Sequence, residues 1–171
     1  MSNESKLRVL FLCTGNAARS IMAEAIANQL FGDHFQAHSA GSRPASKPSI
    51  IALQTLKRHG LNTEEARSKS WDEFAGDPVG FDMVITLCSS AAKDDCPVFP
   101  GAPVKAHWGL PDPPHNAPKG EHATDEEMAP FEFVFAALVE AMEMFLADPA
   151  PAIDIRTAVV AGHLARKFEG A

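Results

Sequence analysis

The chain has 171 residues, of which 46% are hydrophobic and 22% charged, and a formal net charge of −7. This length holds one domain with a real core and is short for two, and the composition is that of an ordinary globular protein. The acidic balance excludes nucleic acid or an anionic membrane as the main partner, and no apolar stretch reaches the roughly 20 residues that span a bilayer.

In chain order, strands and helices alternate. LRVLFL, residues 7–12, is an apolar run that predicts a strand buried on both faces. Residues 20–32, SIMAEAIANQLFG, carry apolar residues at helical spacing and end in Gly32, a candidate C-cap. A second strand is expected over 35–41, stopping at Gly41. Residues 48–60 predict a helix with Pro48 near its first turn and Gly60 past its end. FDMVITLC, 81–88, predicts a buried strand, and VKAHWGL, 104–110, a weaker one. Residues 124–148 open with the capping-box pattern Thr124-x-x-Glu127 and continue as a long amphipathic helix, whose regular part is expected to begin at Pro130. This order implies an α/β fold, a central parallel sheet flanked by helices, with ligands bound beyond the carboxyl ends of the strands. Cys13, Cys88 and the loop after Trp108 fall at such ends and are expected to converge. From Pro149 onward a proline-broken stretch leads into a helical pattern over 153–168, with no chemistry of its own. The expected division is a domain over 1–148 and a helical C-terminal extension over 149–171.

The stretch FLCTGNAARS, residues 11–20, places a thiol and a guanidinium on either side of a short loop, with five residues between Cys13 and Arg19. Between a strand and a helix, that spacing builds an oxyanion cradle. The N–H groups of Thr14, Gly15, Asn16, Ala17, Ala18 and Arg19 can turn inward as a nest, and the helix starting near Ser20 adds its positive end. Gly15 is expected to permit the bend, and the planar fork of Arg19 grips two oxygens of a tetrahedral anion. The same positive surroundings favour a thiolate at Cys13, with Ser20 as its hydrogen-bond partner: a nucleophile beneath the central atom of the anion. The alternative is that Cys13 merely ends a buried strand. The opening MSNESKLRVLFLC has no signal-peptide pattern, so a cytoplasmic location is expected. There, the three cysteines are expected to be buried, metal-bound or chemically active rather than a disulfide framework.

VLFLCTGNAARSIMAEA resembles the signature loop of the low-molecular-weight protein tyrosine phosphatases and of the arsenate reductases that share their fold. The resemblance continues in family order through SAGSRP (39–44), FDMVITLC (81–88), CPVFPG (96–101) and HWGLPDP (107–113), and covers roughly residues 7 to 145. It implies a four-stranded parallel sheet and the thioredoxin-coupled reductase branch. Cys88 and Cys96 stand where that branch keeps its resolving thiols. PDPPHN lacks the aromatic residues with which the phosphatases hold a phosphotyrosine ring, and the chain has no tyrosine. The implied mechanism is attack of Cys13 on arsenate with Asp112 as general acid, release of arsenite as a Cys13–Cys88 disulfide forms, and transfer of that disulfide to Cys88–Cys96. The polar segment between them would loop out to an external reductant, thioredoxin, or alternatively glutathione with glutaredoxin. Phosphate or sulfate would bind the loop as analogues, and no cofactor is required.

Two departures accompany the resemblance. The Cys88–Cys96 spacing is one residue longer than the family's, and Ala18 stands where many members carry a further cysteine. A candidate potassium site is implied at Asn16, Glu24 and Ser39, but the aspartate expected with them is Ser70, with Asp72 nearby. Asn16 and Ser39 serve equally as hydrogen-bond braces for the loop. Other readings stay open: Cys88 as a small buried hydrophobe, zinc at Cys88, Cys96 and His107, and Asp112 as a turn former. His107 and Trp108 are expected to pack the end of the last strand, and His38 and His59 to be surface or packing residues. The phosphatase reaction is the alternative activity, with a non-catalytic oxyanion-binding or redox-sensing protein as a third.

Overall fold

The computed structural model describes residues 5–94, 96–169 and 171. Residues 1–4 of the expected domain, Asp95 of the segment joining Cys88 to Cys96, and Gly170 of the expected extension lie outside the described residues. The elements are β1 (Leu7–Leu12), α1 (Arg19–Leu30), β2 (Phe35–Ala40), α2 (Ile50–Arg58), α3 (Asp72–Ala75), β3 (Met83–Thr86), α4 (Ser89–Lys93), β4 (Val104–His107), α5 (Asp125–Ala147) and α6 (Ile153–Lys167). The strands form one four-stranded sheet in the order β2-β1-β3-β4, parallel throughout.

Strand β1 lies in the middle because both of its faces are apolar. Side chains alternate across a strand, and here Val9 and Phe11 face one layer while Leu10 and Leu12 face the other. The first layer is the larger. It joins Met22, Ala23 and Ile26 of α1, Ile51 and Leu56 of α2, Phe131, Leu138, Met142 and Phe145 of α5, and Val160 and Leu164 of α6. The second is thin, with Phe74, Phe81 and Phe99 stacked edge-on over Leu10, Leu12 and Val84. α6 packs against β4 and α5; the Trp108 indole donates to the Thr157 carbonyl at 3.2 Å and His107 Nε2 lies 3.0 Å from the Ala171 carbonyl. Among the described residues, no helix is long and apolar enough to cross a membrane.

Several boundaries differ from the sequence reading for identifiable reasons. α1 stops at Leu30, and Gly32 is not a left-handed cap; a Cβ there would sit 2.3 Å from the Asn28 carbonyl, so close approach is what requires glycine. α2 starts at Ile50 because Ser49, not Pro48, caps it, its side chain accepting from the Ala52 N–H at 3.2 Å. Gly60 does take the left-handed conformation, φ 79°. α5 is regular from Asp125, five residues before Pro130: the Thr124–Glu127 capping box fixes the first turn, and the carbonyl that Pro130 leaves without an N–H belongs to exposed Glu126. β3 and β4 are shorter than the apolar runs that contain them: Leu87 and Trp108 continue past the strand ends into the thick core layer, each with a backbone bond to the neighbouring strand, while Cys88 packs with Cys13.

Phe145 is fully buried between Phe35 and Trp108, at ring-centroid distances of 5.8 and 6.2 Å, with the Arg156 guanidinium 4.2 Å from its ring centroid. Phe145→Ala therefore opens a cavity where β2, α5 and α6 meet, and should lower folding stability by about 3–5 kcal/mol in urea titration.

Candidate active site

The loop from Thr14 to Ala18 is turned inside out. Its carbonyls point away from its centre, each into an outer donor: Thr14 O accepts from Arg43 N at 2.9 Å, Gly15 O from Ala45 N at 2.8 Å, Asn16 O from Ser68 Oγ at 2.8 Å, and Ala17 O from Ser49 N at 2.9 Å. The N–H groups are left on the inside. Among the described residues, no protein acceptor takes the N–H of Thr14, Gly15, Asn16, Ala17 or Ala18. Inward N–H groups leading into a twelve-residue helix make a concave anion site.

The bend comes from a different residue than expected. Asn16, not Gly15, is left-handed, with φ 45°, and a Cβ on Gly15 would meet only Ala17 at 4.0 Å. The glycine the loop depends on is Gly41, at the end of β2. A Cβ there would lie 2.5 Å from the Thr14 carbonyl, 2.8 Å from the Cys13 carbonyl and 3.0 Å from the Asn16 nitrogen. The sequence signal was the pairing of Gly41 with the strand end, but nothing local said which backbone would come so close.

Cys13 is 4% exposed at the floor, and its Sγ lies 2.8 Å from Ser20 Oγ. Asn16 fixes that contact by donating from Nδ2 to Ser20 Oγ at 2.7 Å, while its Oδ1 accepts the Lys69 N–H at 2.8 Å. Arg19 reaches over the loop, donating to the Leu110 carbonyl at 3.1 Å and pairing through Nη2 with Asp112 Oδ1 at 3.1 Å. The second oxygen of Asp112 lies 3.0 Å from His115 Nε2, so the carboxylate is held over the loop by a residue on either side.

Cys88 lies at the end of β3, buried in a small cluster with Cys13 and Ala91. Its Sγ lies 3.5 Å from Thr14 Oγ1 and accepts the Ala91 N–H at 3.3 Å, so the sulfur itself caps α4. Much of the segment expected to be loose is therefore a short capped helix, and Ser42 Oγ ties its end to Asp94 Oδ2 at 2.7 Å. Cys96 is not beside the other two thiols. It is half-buried against the thin layer of the core, next to Lys105, and burial pushes its thiol pKa up.

Two of the expected potassium ligands, Glu24 and Ser39, do converge, but around an ammonium ion, while Asn16 turns its oxygen to the Lys69 backbone. Lys69 Nζ lies 3.3 Å from Glu24 Oε2 and 3.3 Å from Ser39 Oγ, and donates to the Arg67 carbonyl at 2.9 Å. Potassium at Asn16, Glu24 and Ser39 does not fit, because a cation is already covalently present and the Asn16 oxygen is spent on Lys69 N–H. Zinc fares no better: among the described residues no group of three His, Cys, Asp or Glu side chains could hold a metal. His107 bonds to Thr86 Oγ1 at 2.8 Å, His38 packs on Phe74 and Phe81, and His59 stacks on Phe135.

A buried thiol, a loop whose N–H groups take no protein acceptor among the described residues, and an arginine paired with an overhanging carboxylate thus lie together at the carboxyl end of a parallel sheet. The chain belongs to the low molecular weight phosphotyrosine protein phosphatase family, whose model matches residues 8–152. Within that family it sits with the arsenate reductases. It is 36% identical over 141 residues to the arsenate reductase of Bacillus licheniformis, an alignment covering 82% of this chain and 96% of that one. With the arsenate reductase of Bacillus subtilis it shares 38% over 110 residues, 64% of this chain and 76% of the relative. Among solved structures it is similar to a thioredoxin-dependent arsenate reductase of Corynebacterium glutamicum, with TM-score 0.58 and 28% identity over 83% of this chain and 63% of that chain. It is equally similar to a low molecular weight protein tyrosine phosphatase of T. tengcongensis, with TM-score 0.58 and 28% identity over 81% of this chain and 99% of that one.

Gly41→Ala pushes a methyl group into the outer wall of the loop, an overpacking that costs about 1–3 kcal/mol. If that strain is relieved by displacing Thr14 and Asn16, affinity for inorganic phosphate should fall by about tenfold or more in calorimetric titration.

Proposed function

We propose that the protein reduces arsenate to arsenite and passes the oxidising equivalents outward through its cysteines. The observation that carries this reading is the second sulfur: Cys88 is buried directly against Cys13, where a hydrolytic reaction has no use for it. Arsenate supplies the acceptor that the loop N–H groups lack, and Arg19 turns from Leu110 and Asp112 to grip two of its oxygens. The thiolate of Cys13 attacks arsenic, and Asp112 gives its proton to the departing oxygen, which leaves as water. Cys88 then attacks the sulfur of Cys13. The sulfur–arsenic bond breaks with its electron pair moving to arsenic, arsenite departs, and a Cys13–Cys88 disulfide remains. The two electrons that reduce As(V) to As(III) are those lost by the two thiols.

Cys96 completes the sequence by attacking Cys88, which returns Cys13 to the thiolate and leaves a Cys88–Cys96 disulfide. That step requires α4 to unwind and Cys96 to leave the apolar layer, which also removes the burial that keeps its thiol protonated. An external dithiol, thioredoxin, then reduces the exposed pair. The relatives named as arsenate reductases support this assignment, and the cytoplasm is the compartment that keeps all three cysteines as thiols.

The groove beside the loop bears on the phosphatase alternative. It runs past Ala17, Lys47, Ile50, His115 and Asn116, with no Phe, Tyr or Trp to stack on a phosphotyrosine ring. Cys88→Ser separates the two reactions. Arsenite release under multiple turnover should fall by about a thousandfold or more, while hydrolysis of a small phosphate ester persists. Arsenate turnover that survives the substitution would refute the reductase. Cys96→Ser should leave a single turnover intact, and turnover sustained by glutathione with glutaredoxin but not by thioredoxin would reassign the electron donor.

A further inference from the structure

Lys69 is a charged group that the reaction above does not use, and it is only 5% exposed. Taking an ammonium ion out of water is tolerated only where charge and hydrogen bonds replace the solvent. Here they come from three separate pieces of chain: Glu24 on α1, Ser39 on β2 and the carbonyl of Arg67. Ser39 Oγ also donates to the same Glu24 oxygen at 2.6 Å, which closes a compact knot. The other ionisable groups nearby are His38 on β2, which burial keeps largely neutral, and Arg67 with Glu73, which pair with each other at the surface.

The knot fastens residues 67–70 to the sheet, and that segment has one conspicuous task. Ser68 holds the Asn16 carbonyl and the Lys69 N–H holds the Asn16 side-chain oxygen. Because that oxygen must accept, the amide nitrogen of Asn16 must donate, and it donates to Ser20 Oγ. Ser20 has thereby used a lone pair, and its own hydrogen is free for the sulfur of Cys13, 2.8 Å away. Every bond in the series runs toward the sulfur and favours its anionic form.

We propose that Lys69 is a positioning residue that serves as a tethered counter-cation, its ammonium tying α1 and β2 to the segment that orients Asn16, so that Cys13 stays anionic without any bound monovalent metal ion. The inference concerns the thiol and stands apart from the identity of the substrate.

The test uses the full chain carrying Cys88→Ser and Cys96→Ser, so that Cys13 alone reacts with iodoacetamide. In this background Lys69→Met removes the charge, and leaves Glu24 unpaired, which adds to the same effect. The pH profile of alkylation should move upward by about one unit, slowing the reaction near neutrality by up to tenfold. Lys69→Arg should keep the parental profile more closely than Lys69→Met. Lys69→Ala should recover speed in ammonium or potassium chloride but not in choline chloride of equal ionic strength, whereas the parent should not distinguish the three salts. A Lys69→Met profile superimposed on the parent's would overturn the proposal, as would a parent that accelerates in potassium. Should Lys69→Met fail to fold, the salt comparisons on the parent and on Lys69→Ala decide alone. These alkylation responses in the double-serine background, beside a wild-type chain that releases no arsenite, would sink the reductase and leave the counter-cation standing.

Discussion

The site rests on one constraint: four consecutive carbonyls, from Thr14 to Ala17, are each held outward by a donor from a different part of the surrounding chain. Peptide dipoles cannot be aimed one at a time, so fixing the carbonyls outside fixes the N–H groups inside. A flexible loop of the same sequence would scatter its dipoles among many orientations and bind an anion only after losing that freedom. The outer donors are therefore as much a part of the anion site as the loop. They are spread over residues 43–49 and 68, which explains why the connections after β2 and before α3 pack so tightly against it.

Around that ring the parallel sheet does the placing. β1 delivers Cys13, β2 delivers the bare backbone of Gly41, β3 delivers Cys88, and the turn after β4 leads to Asp112. Each of these groups lies just past a carboxyl end, so four segments distant in sequence meet within a few ångströms without any long excursion. The thick layer beneath, with Phe131, Phe145 and Trp108, supplies the rigidity. The thin layer on the far face leaves Cys96 half-buried against it.

Much of this was legible in the residues themselves. Alternating apolar runs and capped helices announced the α/β order, and the loop between Cys13 and Arg19 was placed between a strand and a helix, as it is here. What escaped were the relations that exist only in three dimensions. Gly41 reads as a strand terminator until the Thr14 carbonyl is found 2.5 Å from where its Cβ would be. Lys69, of a residue type seldom buried, carried no local sign that Glu24 and Ser39 would enclose it. Gly15 misled in the opposite direction, because asparagine also tolerates the left-handed conformation and took it here. The polar composition of residues 89–94 suggested a loose loop, yet the Cys88 sulfur supplied the cap that let a short helix form.

That cap has a mechanical corollary. On the route proposed above, the sulfur that accepts the Ala91 N–H is also the atom that would join Cys13 in a disulfide, and it cannot turn to a new partner and keep the helix end. Oxidation at this atom, as proposed, would undo the fastening of the segment that follows it. The proposed cascade would then need no separate trigger to free the segment that carries the next thiol.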